Sequence, residues 1–349
     1  MKEFQHLTPS AGLCYKACNG YAAVTGYTGD APVVTVPETH NGLPVTHIGR
    51  NAFSGNRQIT AVHVPRSVTE IEQDAFSDCG ALAAVHFAPD SRLQRIGAAA
   101  FAYCAALEAL CLPDTVTHIE TRAFASCHSL RTAPLPRELR QMGESCFAHC
   151  TSLTAMALPR GLEALESGVF EGCLSLTAVT LPQDSALRRI GYCAFAGCAA
   201  LAELVMPASV TDLQNRAFEG CRGLTRLTLS PHIVKIPYKA LYGCENLTEL
   251  TLPEGLVAIG SYAFFGCAAL TALTLPKSLS VIEGRAFAEC RALRAVTLSA
   301  PDGWHTCEEP LEDCIATADP AEAALYLTLL RPSATVLRAR HAAGRSATE

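Results

Sequence analysis

The residues of this 349-residue chain that could carry chemistry are mostly cysteines, and there are 17 of them. Thiols pair, bind soft metals or act as nucleophiles. An odd number cannot all pair within one chain. Ten recur at one fixed place: Cys79, Cys104, Cys127, Cys150, Cys173, Cys198, Cys221, Cys244, Cys267 and Cys290. Stacked parallel strands lie about 4.8 Å apart with parallel side-chain vectors. A disulfide needs converging vectors and a Cβ separation of about 3.8 Å. The ten are therefore expected to be free, buried thiols that behave as small hydrophobes and weak donors. Asn56 holds the equivalent place in the first repeat; it fits as a small inward side chain that touches a backbone group. Cys14 and Cys18 stand four residues apart, as a metal pair or as two unpaired thiols, with no matching ligand pair nearby. His305, Cys307 and Cys314 could form a disulfide or part of a zinc site, but no fourth ligand has a recognisable spacing. The group Cys146, His149 and Cys150 resembles a nucleophile with its base. Cys150 is a ladder residue, however, and Cys146 fills a slot that is usually alanine, so both are expected to point inward. The motifs G-x-S-x-G, P-loop, H-E-x-x-H and G-x-G-x-x-G are all lacking. No catalytic residue, cofactor or metal site is expected, and the chain reads as a non-enzyme.

What positions the thiols is a repeat. Aligned on an Ala-Phe pair, the chain shows Phe53, Phe76, Phe101, Phe124, Phe147, Phe170, Phe195, Phe218, Leu241, Phe264 and Phe287. The intervals are 23 residues except two of 25. A fixed period of 20 to 29 residues marks a leucine-rich-repeat solenoid. Each unit opens with L-x-x-L-x-L-P, whose alternation predicts a short strand ended by proline. Its second half, V-x-x-I-G-x-x-A-F-x-G-C-x-x-L, spaces apolar residues three to four apart and predicts a tight helical turn. The expected fold is a curved α/β-type horseshoe with a parallel sheet on the concave side, short helical turns on the convex side and a cap at each end.

Three regions follow: an N-terminal cap at 1–45, eleven repeats at 46–299 and a C-terminal cap at 300–349. The segment Tyr21 to Pro37 reads as strand, turn, strand. Residues 319–330 read as a helix lying over the last repeat, followed by a frayed tail. Both long intervals come from inserts, at 89–93 and 182–187, and both loops are expected on one edge. The ninth repeat is irregular, with Ser230-Pro231, Pro237 and Leu241; a local break is expected there. Net charge is −6, which disfavours a nucleic-acid partner. The N-terminus has no secretory apolar run and no 18-residue apolar stretch occurs. As it stands the sequence suggests the cytoplasm, or the cell surface or secretion if a leader precedes it.

The unit resembles the leucine-rich repeats of the BspA-like group, known from bacterial surface proteins. The likeness rests on L-x-x-L-x-L-P followed by V-x-x-I-G-x-x-A-F-x-G-C-x-x-L, and on the N-terminal GYTGDAPVVTVPETHNGLPVTHIG. It implies a curved solenoid that binds proteins or adheres to host matrix proteins.

On such a solenoid the outward strand residues line the inner wall, the surface that takes extended partners. One column runs His63, His86, Cys111, Pro134, Ala157, Thr180, Val205, Thr228, Thr251, Thr274 and Thr297. Two residues earlier lies a column of alanines interrupted by Glu203, Arg226 and Glu249. The wall is small and nearly uncharged. The expected docking residues are His63, His86, Glu203, Arg226, Thr228, Glu249, Thr251 and Thr274. The Glu-Arg-Glu trio reads equally as a structural ladder or as a polar spot for a partner. The two histidines read as a pH-sensitive pair or as solvated residues. A monomeric protein-binding or adhesion scaffold is the expected function. The alternatives are a thiol- or metal-dependent protein and a purely structural repeat.

Overall fold

The computed structural model describes residues 7–298 and the backbone of three short strands, Trp304–Thr306, Cys314–Ile315 and Leu337–Ala339. The expected helix at 319–330, the frayed tail and the side chains of His305, Cys307 and Cys314 lie outside the described residues. Within them each repeat makes one turn of a solenoid, and successive turns are hydrogen-bonded along three sides, two of them interrupted at particular rungs.

The first side is the expected parallel sheet. Val33–Thr35, Ala61–Val64 and Ala84–Phe87 pair in register. So do the strands Ala155–Ala157, Ala178–Thr180, Glu203–Val205, Arg226–Thr228 and Glu249–Thr251. Ala272–Leu275 pairs Ala295–Leu298. Between the first two groups a single bridge, Ala109 to Thr132, remains. Pro134 has no N–H to give there. Period-2 alternation buries the middle residue and exposes its neighbours, as in Arg226-Leu227-Thr228.

The second side departs from the sequence reading. The residues before and at the repeated aliphatic position form a second parallel ladder: the end of Leu43–Ile48, then the two-residue strands Glu70–Ile71, Arg95–Ile96, His118–Ile119 and Gln141–Met142. This second ladder continues through later repeats, with ends between Met142 and Leu165 and between Leu213 and Ile236.

The third side corrects the expected helical turns: no helix occurs among the described residues. Asn51 and Gly55, on either side of Phe53, have φ of 58° and 72°. The same two slots are left-handed in the following repeats, and a residue in that region ends an α-helix. Alternate N–H groups therefore turn toward the next rung. Those of Asn51, Phe53 and Gly55 reach the carbonyls of Gln73, Ala75 and Ser77 at 3.2, 2.8 and 2.7 Å. The triplet recurs as far as Tyr262, Phe264 and Gly266 on Gly284, Ala286 and Ala288. The residues between close i to i−3 turns, such as Ala52 N–H to Gly49 O at 3.1 Å.

The slot after the aliphatic residue alternates along the chain: Gly49, Glu72, Gly97, Glu120, Gly143, Glu166, Gly191, Gln214. Glu72, Glu120 and Gln214 each accept a backbone N–H of the repeat before, from Arg50 at 2.9 Å, Ala98 at 3.2 Å and Tyr192 at 3.1 Å, while Glu166 pairs with Arg189 at 2.7 Å instead. The glycines sit where a Cβ would collide, 2.3 Å from Thr121 N in the case of Gly143. Pro237 breaks the alternation, which resumes with Gly260 and Glu283, where Glu283 accepts the Ser261 N–H at 2.9 Å. The ninth repeat is thus the odd one between paired units.

The core is one continuous cluster. Phe53 to Phe218 stack at centroid separations from 4.8 to 6.1 Å, and Phe264 stacks on Phe287 at 5.0 Å. Leu241 interrupts the stack.

At the N-terminus the two expected strands form, Tyr21–Tyr27 and Val33–Thr35, but they do not pair with each other. The first joins the second ladder through Leu43–Ile48, the second joins the strand face. Leu13–Cys18 runs antiparallel to Tyr21–Tyr27 and covers the open edge. At the far end Leu337–Ala339 pairs antiparallel with Val281–Ile282. The two inserts are alike: Asp90 pairs Arg66 at 3.2 Å and Asp184 pairs Arg160 at 3.0 Å.

Candidate functional site

The thiols come first, because they decide between chemistry and architecture. All ten ladder cysteines are buried. Each donates its S–H to the carbonyl of the Phe slot in the preceding repeat, from Cys79 on Phe53 at 3.0 Å to Cys290 on Phe264 at 3.0 Å. Cys267 uses Leu241 in the same way. Burial pushes the Cys79 and Cys150 thiols up to about 12 and those of Cys127, Cys173, Cys198 and Cys221 well above the usual range. A thiol so held is a poor nucleophile. Asn56, with no such carbonyl before it, turns its Oδ1 onto the N–H groups of Gln58 and Ile59 at 2.9 and 3.0 Å. Cys146 and Cys150 are buried while His149 is exposed on a left-handed turn, so that group does not converge. Cys14 and Cys18 lie on one strand, about 13 Å apart at the rise of extended chain, too far to share an ion or a bond.

The strand face carries the eight candidate docking residues. Register aligns Glu203, Arg226 and Glu249 on neighbouring strands, with Thr228 beside Thr251. Arg226 pairs with Glu249 through Nε at 2.7 Å and a second N–H at 3.0 Å. The hydrogen bond and charge of Arg226 hold the Glu249 carboxyl below the usual carboxylate range. Glu203 contributes charge to Arg226 but no hydrogen bond of its own. Both partners of the pair are more than half exposed, at 52% and 62%, so the pair is a solvated charged spot on a wall of mostly small, uncharged side chains. Thr274 continues the threonine column on the next strand and pairs Thr297. His63 and His86 stack at 4.9 Å, five rungs from Glu203, or about 24 Å. The structure therefore gathers six of the candidates into one area and leaves the histidine pair apart.

A second cluster escaped the sequence reading. On the turn face Lys239 lies over the rings of Tyr242, Tyr238 and Tyr262 at 4.7, 5.4 and 5.9 Å. Arg216 lies over Tyr192 and Tyr238, and Arg285 over Tyr262, all within 6 Å. Tyr242 stacks on Phe265 at 4.9 Å. In repeat register these residues fall in three columns, three and two residues before the Phe slot and one after it, which the turn face brings together.

The comparisons with known proteins agree with this architecture. The family described as BspA type leucine rich repeat region matches over residues 46–177, 88–201 and 164–294. A leucine-rich repeat protein from Bacteroides ovatus is 25% identical, with 84% of this chain and 90% of that chain covered and a TM-score of 0.59. A leucine rich cell surface protein from Faecalibacterium prausnitzii is 26% identical over 84% and 94%, with a TM-score of 0.48. The pneumococcal vaccine antigen PcpA is 18% identical over 84% and 87%, with a TM-score of 0.54. No curated protein matches the chain significantly. No helix among the described residues is long and apolar enough to cross a membrane.

Proposed function

Because the chain belongs to the BspA-type leucine-rich-repeat family, we propose that it is a non-catalytic scaffold whose strand face docks another protein. One observation carries the reading. Five consecutive strands, from Ala155–Ala157 to Glu249–Thr251, hold register with their outer residues exposed and their inner residues buried, or half-buried at Leu250. That is a preformed wall of mostly small side chains with one charged pair in it. Such a wall accepts an extended partner with little rearrangement. Thr228, Thr251 and Thr274 offer hydroxyls along it, and Arg226 and Glu249 set polarity and register. The burial and hydrogen bonding of the ladder thiols favour this reading over a redox or metal role.

The test places a photo-cross-linking residue at Thr228 in the full chain and exposes it to extract from the source cells. The captured protein is then purified and its affinity measured. Arg226→Glu and Thr251→Arg are each expected to weaken that affinity at least about tenfold, the loss expected for a central contact of an interface. Equal affinity for wild type and both variants would contradict the proposal.

A further inference from the structure

The turn-face cluster of repeats 8 to 11 has no role in the strand-face reading. Its cations occupy one column, two residues before the Phe slot: Arg216, Lys239 and Arg285, with Tyr262 between the last two. Elsewhere this column mostly holds short residues, Asn51, Asp74, Ala99, Ser145, Gly168 and Cys193. The slot is left-handed throughout, with φ of 54° to 59° at Arg216, Lys239, Tyr262 and Arg285. Long side chains have been placed at a backbone position that suits short ones. On either side stand partly exposed rings, Tyr238 in one flanking column and Tyr242 and Phe265 in the other.

The chemistry of the cluster is one-sided. Guanidinium and ammonium groups donate and cannot accept, and a neutral phenol offers its O–H. Among the described residues one carboxylate is paired with these cations: Glu219, 3.5 Å from Arg216 and 3.9 Å from Lys239. The next along, Glu283, is engaged by Lys235 at 3.3 Å and by Ser261. Among the described residues three cations therefore share one carboxylate, on a chain whose net charge is −6. Tyr and Arg are also the residues that dominate protein interfaces.

We propose that this column is a second docking surface, and that its partner is an extended, carboxylate-rich peptide segment of another protein. From Arg216 to Arg285 is three rungs, about 14 Å, the reach of four to five extended residues. Alternate residues of such a segment face the column every 6 to 7 Å or so. Their carboxylates meet Arg216, Lys239 and Arg285, and their intervening side chains lie on Tyr242 and Phe265. The surface is independent of the strand face.

The test uses the full chain and a fluorescein-labelled peptide of alternating Glu and Gly, about twelve residues long, with a Lys and Gly peptide as control. Fluorescence anisotropy is expected to show saturable binding of the acidic peptide only, weakening as salt rises. Lys239→Glu with Arg285→Glu is expected to abolish at least about tenfold of that affinity. Arg226→Glu, on the strand face, is expected to leave it unchanged. Arg285→Gln alone is expected to weaken binding several-fold at an unaltered melting temperature. The proposal is overturned if the two peptides bind alike, or if the double variant binds like wild type. It is also overturned if a sulfated oligosaccharide binds and the Glu peptide does not. A lower melting temperature in Arg285→Gln with binding retained would make the cluster a structural staple and overturn it as well.

Discussion

At the residue scale the central unit is the carbonyl of the Phe slot, which receives two donors. Phe76 O accepts the Cys79 N–H at 3.2 Å and the Cys104 S–H of the next repeat at 3.2 Å. The thiol thus joins two rungs, and its small volume lets the aromatic rings stack. Removing an inner ring, as in Phe124→Ala, is expected to lower stability by about 3–5 kcal/mol in chemical unfolding. The thiols also set a pH limit. Their folded pKa lies above the unfolded value of 9.0, so the stabilisation is fully present below pH 9. As pH rises from there toward 12 the unfolded chain releases protons that the folded one retains. Each such thiol then costs about 1.4 kcal/mol per pH unit. With several in the ladder, a steep alkaline unfolding above pH 9 is expected, measured as melting temperature against pH. Cys127→Ala with Cys150→Ala and Cys173→Ala should make that fall shallower; an unchanged slope would show that the thiols do not control it.

At the scale of the element, the repeat is built to work in pairs, with a glycine in one unit and a carboxylate or amide in the next. Gly143→Ala would press a methyl into the Thr121 backbone and is expected to lower stability by about 2 kcal/mol or more. Glu120→Ala removes the acceptor of the Ala98 N–H and the 2.9 Å partner of Arg95, with an expected loss of about 1–2 kcal/mol that Glu120→Gln partly restores. The period, the strand, the Phe spine and the thiol ladder were legible in the sequence, because apolar identity at fixed spacing reports burial directly. The turn side was not. A spacing of three to four between Ile259, Ala263, Phe264 and Cys267 suits a helix as well as a run of tight turns. The left-handed slots that decide between them hold residues such as Asp74, Ser145, Lys239 and Tyr262 more often than glycine. The Gly/Glu alternation was visible too, but reading all repeats against one consensus conceals a two-repeat period. The expected break at repeat nine has a physical content: Pro237 lacks the N–H that Gly191 gives Leu165 O and Gly260 gives Ile236 O, each at 2.7 to 2.8 Å.

At the scale of the whole molecule, the fold is a stack of rungs in which every turn touches its neighbours, so stability is expected to run along the axis rather than outward from a centre. The interior is apolar and holds the thiols; the polar variety lies on the strand face around Arg226 and on the turn face around Lys239. The candidate docking residues could be placed from the sequence because strand register follows the period. The cation and aromatic cluster could not, since its three columns meet only once the turn face is known to be laddered. That ladder is the claim on which the rest stands, and residue-resolved amide hydrogen exchange on the free chain tests it most directly. The N–H groups of Phe101, Phe124 and Phe147 should be protected as strongly as those of Leu204 and Leu227 on the strand face. Rapid exchange at the Phe positions, with protection confined to the strands, would contradict it.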